Sequence, residues 1–318
     1  MSVAWLFAIC TAIWGSTWLA ITWQLGQVSP TVSVVYRFAL AGALLGAWCA
    51  ATGRRMRFPA AEHARLAAWG AMMFGINYVA VYYAEAHVSS GLVAVVFSTI
   101  VFMSPIGMRL AFGTPVTARM LVAATLGVGG VALLFLPELD AARHGGSAAL
   151  GILYALVATA IATGGNVFAV RNYAAGLPVL PTTAWGMLYG AAVAAVVALA
   201  QGAAWTFDPR LPYVLSLAYL AVFGSVVAFG AYLTLLGKVG AGPASYVGVS
   251  TPVIAMLLST MFEGYRWTWV GALGVALAAV GNVIALRPAS PAARSAPSPA
   301  FRRTCAKDGP SEERRDGS

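Results

Sequence analysis

Along its hydrophobic and polar positions, the chain is a succession of apolar runs of about 20 residues separated by short breaks that carry Gly, Pro or charge. The runs predict helical spans near 3–23, 30–51, 66–86, 89–112, 117–137, 149–170, 180–201, 213–236, 240–262 and 267–286. At about 1.5 Å of rise per residue, each is long enough to cross a hydrocarbon core of about 30 Å. A backbone in lipid must satisfy its own hydrogen bonds, so unbroken runs predict helices, whereas a transmembrane barrel would show short alternating strands. The expected fold class is an all-α polytopic membrane protein with ten transmembrane helices.

Composition agrees. The 318 residues are 60% hydrophobic and 9% charged, with a mean hydropathy of +0.80, against about 25% charged in soluble domains. The net charge of +9 is not read as a nucleic-acid footprint, because much of it lies in loops and in the tail after Arg287. If the amino terminus is inside, every Lys and Arg outside Arg37 falls on the cytoplasmic side except Arg143, Arg210 and Arg266. That bias predicts two cytoplasmic termini, and the high Ala, Gly and Arg usage points to a bacterial inner membrane. The first apolar run lacks a basic start and a small-residue cleavage site, so it reads as a helix and not as a signal peptide. Residues 288–318, rich in Pro, Ser and charge, read as a disordered basic tail. Cys10, Cys49 and Cys305 have no metal-ligand spacing and predict no disulfide.

A constant offset aligns Pro30 with Pro181, Gly91 with Gly242, Gly113 with Gly264, Thr117 with Thr268 and Gly130 with Gly281. This predicts a duplication over 1–143 and 144–287. Five helices per half is odd, so the second half must enter the membrane upside down, a plan used by secondary transporters. AIWGSTWLAI (12–21), YRFALAGALL (36–45) and the closing stretch from Gly240 to Leu286, with its Pro252–Glu263 segment and Gly274–Gly281 spacing, resemble the EamA-type repeat of the drug/metabolite transporter superfamily. The resemblance implies a ten-helix fold whose first four helices of each half line a central cavity, with the fifth packed behind. Phe112 stands where the second half has Glu263, so that acid is not duplicated.

Polar side chains deep in a span point to a solute site. Trp14, Ser16 and Thr17 flank Gly15, which equally suits a packing notch. Asn77, Tyr78, Tyr82 and Glu85 fall on about one half of the third helix; Tyr83 reads as an interfacial anchor and Glu85 as water-exposed at the outer end, with proton handling, open to Glu263 as well, as the alternative. Asn166, Tyr232, Tyr246, Ser250 and Thr251 are the candidates of the second half, the last two also suited to a kink before Pro252. Glu263 and Arg266 predict an ion pair at the outer rim. Arg37 lies about 10 Å of helix inward from Pro30. It either snorkels to the interface or faces the cavity, pairing with Glu85 or attracting an anionic group of the solute.

No phosphate-cradling GxxxxGK[ST] loop and no His-Glu-x-x-His pair occur, and no helix interior offers a base for a nucleophile. The chain is therefore read as no enzyme, with no cofactor and no metal. The expected function is a secondary transporter of small metabolites, amino-acid-like compounds or drugs, working by alternating access and exporting. Uptake by the same fold and a receptor or scaffold role are the alternatives. The expected partners are a small-molecule substrate and the lipid bilayer, with no nucleic acid and with a homodimer left open.

Overall fold

A computed structural model describes residues 1–113, 115–143, 147–239 and 246–286, with the backbone alone at 134–143, 173, 233, 236–237, 239, 246, 249 and 285–286. The expected tail, including Cys305, lies outside the described residues. Regular structure among the described residues is helical throughout. The spans are α1 (Val3–Thr22), α2 (Pro30–Ala51), α3 (Ala60–Gly70, a π-helical stretch Ala71–Ile76, then Asn77–Glu85) and α4 (Ser90–Phe97 and Ile100–Phe112). They continue as α5 (Ala118–Arg143), α6 (Ala148–Ala174), α7 (Val179–Ala200) and α8 (Leu211–Tyr219, a π-helical stretch Leu220–Val227, then Ala228–Val239), followed by α9 (Tyr246–Phe262) and α10 (Trp269–Leu286). Six of them, α1, α2, α4, α6, α7 and α8, contain segments long and apolar enough to cross a membrane, and shorter apolar helices lie in α5, α9 and α10.

Local chemistry sets several ends. Pro30 opens α2, where its missing N–H costs nothing. The α3 helix begins earlier than the apolar run, at Ala60, because the extended Pro59 precedes it and Glu62 sits in its first turn. Gly113 closes α4 with φ +69°, a left-handed conformation suited to glycine. Within α4 the helix breaks at Ser98 and Thr99, whose hydroxyls donate to the Val95 and Val96 carbonyls. The apolar run gave no sign of that break.

Lipid tails are as apolar as leucine, so helices in a bilayer associate through close packing and polar contacts. Glycines supply the close packing. Gly70 and Gly75 of α3 lie against Gly186 and Gly190 of α7. On α5, a Cβ added to Gly130 would meet the Gly274 carbonyl oxygen at 2.5 Å and the Ala278 nitrogen at 2.7 Å. On α10, a Cβ added to Gly281 would meet the Ala123 carbonyl oxygen at 2.7 Å and the Gly127 nitrogen at 3.0 Å. The offset pairing Gly130 with Gly281 also pairs Ala123 with Gly274 and Gly127 with Ala278, so these contacts are reciprocal. It pairs Ile76 with Val227 as well, and both π-helical stretches end at corresponding residues.

A polar side chain within one π stretch and one just after the other bond back to the widened turn. Ser225 Oγ donates to the Leu220 carbonyl at 2.9 Å, and Asn77 Nδ2 to the Met73 carbonyl at 3.2 Å. Such turns re-aim the side chains that follow. The largest core cluster gathers Phe38 of α2, Phe74 of α3, Met187 of α7 and Leu220 of α8 around them.

Candidate functional site

Arg37 is 1% exposed. Its Nε donates to Ser225 Oγ at 3.4 Å, and its guanidinium lies 4.6 Å from the Tyr78 ring centre and 5.0 Å from that of Phe38. The side chain therefore turns inward toward α8, and the snorkelling expectation is set aside. A desolvated cation over an aromatic face gains about 2 kcal/mol. Two such faces are comparable to the roughly 2.5–3.5 kcal/mol cost of a cation at mid-span. Nη1 has no hydrogen-bond partner among the described residues.

The α3 stripe continues this cluster. Tyr82 is fully buried and donates from its hydroxyl to Gln24 Oε1 at 2.7 Å. Asn77 is buried, with Oδ1 unpartnered among the described residues. Glu85, expected to be water-exposed, is 6% exposed, and neither carboxylate oxygen has a partner among the described residues. The expected Arg37–Glu85 ion pair is thus not made, although the Arg37 charge reaches Glu85. The reason is register: Arg37 stands beside Tyr78, and Glu85 is seven residues, about 10 Å of helix, farther along α3. Tyr83 stacks on Tyr154 and reaches Gln201 Oε1 at 3.4 Å.

From α1, Trp14 Nε1 donates to the Gly224 carbonyl at 3.2 Å, and its ring packs 5.3 Å from Phe229 and 5.1 Å from Tyr232. The acceptor belongs to the π stretch of α8. Ser16 Oγ shares a 2.7 Å hydrogen bond with the Tyr219 hydroxyl, and Thr17 Oγ1 donates within α1 to the Trp14 carbonyl. A Cβ on Gly15 would lie 2.6 Å from Ile254 of α9, so the notch reading describes Gly15 while Trp14 and Ser16 serve the α8 contact. Ser16→Ala is expected to cost only about 0.6 kcal/mol, the mean for interhelical hydrogen bonds in a bilayer, measured as the change in unfolding free energy in mixed micelles.

The remaining candidates lie apart. Asn166 Nδ2 donates to Ser104 Oγ of α4 at 3.4 Å, and Thr251 Oγ1 bonds its own helix at the Val247 carbonyl. Ser250 is half-buried, and Tyr246 begins α9 with its side chain outside the described residues. Glu263 corrects a further expectation. Its carboxylate accepts from the Ser90 backbone N–H and hydroxyl at the start of α4, while Arg266 is exposed and not paired with it. An acid at a helix amino terminus meets both free donors and the positive end of the dipole, which outweighs a solvated pair three residues away.

Sequence reasoning missed Gln24, Ser225 and Tyr219. Gln24 follows the end of α1 and reads as a boundary residue, yet it is fully buried. Two grooves are open at the sides of the bundle. One, of about 410 Å³, runs along α8 between Leu6 and Ile9 of α1 and Leu45 and Trp48 of α2; the other, of about 440 Å³, lies between Trp23, just after α1, and Phe223 of α8. Neither contains the Arg37 cluster, so the expected central cavity is not one of these two openings.

Residues 1–136 and 149–287 match the EamA-like transporter family. The chain is 30% identical over 283 residues to the inner membrane transporter YedA of Escherichia coli K12, covering 86% of this chain and 88% of that one. It is 27% identical over 259 residues to the protein PecM of Dickeya dadantii, covering 79% and 80% of the two chains. One solved protein structure superposes with a TM-score of 0.63 at 20% identity, over 89% of this chain and 96% of the other, a likeness of fold. By the span of that match and the identity to YedA, the chain belongs to the EamA-like transporter family.

Proposed function

We propose that this chain is a secondary transporter that exports small metabolites, amino-acid-like compounds or drugs among them, by alternating access between two inverted five-helix repeats. The observation that carries the reading is the buried polar cluster where α2 and α3 of the first half meet the π stretch of α8 in the second. Arg37, Tyr78 and Tyr82 come from one half, and Ser225 from the other. A polar group at such a seam can be offered to either side of the membrane when the halves rock. The reciprocal α5–α10 contacts and the matched π stretches support the inverted duplication. The site consists of Trp14, Ser16, Thr17, Arg37, Asn77, Tyr78, Tyr82 and Tyr232, with Asn166, Tyr246, Ser250 and Thr251 on the flanks and Glu85, Glu263 and Arg266 toward the outside.

Proteoliposomes holding only this protein test the carrier directly. Loaded with a metabolite extract, they are expected to lose specific small solutes faster than empty vesicles do. Binding without flux would make the chain a receptor. Inverted topology has its own check: cysteines placed at position 140 and in the carboxy-terminal tail should label from opposite faces of the membrane. Labelling from the same face would remove the odd number of crossings on which the inversion depends.

A further inference from the structure

Around Tyr82 stand two buried donors with nothing to donate to. Arg37 Nη1 and Gln24 Nε2 have no hydrogen-bond partner among the described residues, and their side chains are 1% and 0% exposed. Their orientation follows from the phenol between them. The Tyr82 oxygen feels the Arg37 cation, a group that can only donate, so its hydroxyl proton turns to Gln24 Oε1 at 2.7 Å. That bond fixes the amide with Nε2 as its free end. A guanidinium N–H and an amide N–H beside one phenol hydroxyl are donors of the kind an oxyanion accepts from.

The second half supplies an internal comparison, on the duplication just proposed. The offset that pairs Pro30 with Pro181 places Ala175 opposite Gln24, Leu188 opposite Arg37 and Leu233 opposite Tyr82. The aligned positions of the second half are thus apolar in the sequence at all three places. The second half carries no counterpart of the arginine, the glutamine or the phenol. A buried cation present in one half alone, with a donor left over, is accounted for by a ligand that brings the acceptor.

We propose that Arg37 Nη1 and Gln24 Nε2 form an oxyanion subsite, so that the transported solute carries a carboxylate or a phosphate ester. The proposal rests on the carrier reading and names its substrate class. Tyr78 and Phe38, which flank the guanidinium, hold it in place.

The test uses the purified full chain in detergent and in proteoliposomes. The probes are lactate, succinate and glycerol 3-phosphate, each beside an uncharged counterpart: lactamide, succinamide and glycerol. At least one anion should raise the thermal midpoint and be transported while its neutral counterpart does neither. The series tells a carboxylate from a phosphate ester. Arg37→Gln should lower apparent affinity for that anion roughly 100-fold, Gln24→Leu roughly 10-fold, and Arg37→Lys should recover only part. The ligand-free midpoint of Arg37→Gln should equal or exceed that of the parent, since the change removes a buried charge.

If anions and neutral solutes act alike, or Arg37→Gln binds the anion as well as the parent does, the subsite is overturned. It is equally overturned if Arg37→Gln unfolds and Arg37→Lys restores the fold, because the arginine is then structural. The two readings separate cleanly. Transport confined to neutral or cationic solutes keeps the carrier and removes the subsite, whereas anion binding without flux keeps the subsite and removes the carrier.

Discussion

Gly70→Leu is expected to leave almost no folded protein in the membrane. A Cβ at this position would fall on the Gly186 carbonyl oxygen, with the Gly186 Cα and carbonyl carbon at 3.0 Å. The obstacle is backbone, so no rotamer change clears it. The α3 helix would have to retreat from α7, and Gly75 would then lose its approach to Gly190 and Phe74 its seat against Gly190. Overpacking in a close-packed core costs about 1–3 kcal/mol for added methylenes. Here a whole side chain meets main chain, so the cost should exceed about 3 kcal/mol, more than roughly 100-fold in the folded fraction. Size-exclusion traces of a fluorescent fusion measure it. Gly46→Ala is the control, because its Cβ would meet nothing nearer than the Met56 methyl at 3.7 Å. Equal yields from both would mean that α3 and α7 are not in glycine contact.

The second large effect is expected at Glu263. Its carboxylate takes two hydrogen bonds from Ser90 at the amino terminus of α4. Bonds to a charged acceptor contribute about 1.5–3 kcal/mol each, and the helix dipole adds up to about 1 kcal/mol at a partly exposed end. Glu263→Ala should therefore lower unfolding free energy by roughly 3 kcal/mol, and Glu263→Gln by about half of that, because an amide oxygen still accepts. Arg266→Ala should lie within about 0.5 kcal/mol of the parent, as surface substitutions do. An Arg266→Ala loss as large as that of Glu263→Ala would restore the local ion pair expected from their spacing.

Those two residues mark the limit of what the order of amino acids reveals. The spans were legible because apolar length is a local property: each of the ten begins or ends within a few residues of a described helix, and the early start of α3 is explained by Pro59 and Glu62. The depth of Arg37 was legible for the same reason. Its direction was not, because that depends on Ser225, which is 188 residues away. Spacing favoured Arg266 as the partner of Glu263 since both lie in one turn; Ser90 becomes the partner only when α9 and α4 meet. The π stretches left no mark in the sequence either. Their extra residue per turn is stabilised by back-bonding from Ser225 and Asn77 and by neighbours on other helices, and Ser and Asn occur in many ordinary helices too. Gln24 was passed over because a polar residue after an apolar run normally signals exit into water.

The reciprocal glycine seam between α5 and α10 bears on where motion can occur. Backbone pressed against backbone at matching points has little slack for sliding, so on the carrier reading proposed above this pair is expected to act as a fixed mast. A covalent staple across the mast should then leave turnover intact, whereas the same staple between α2 and α8 should arrest it.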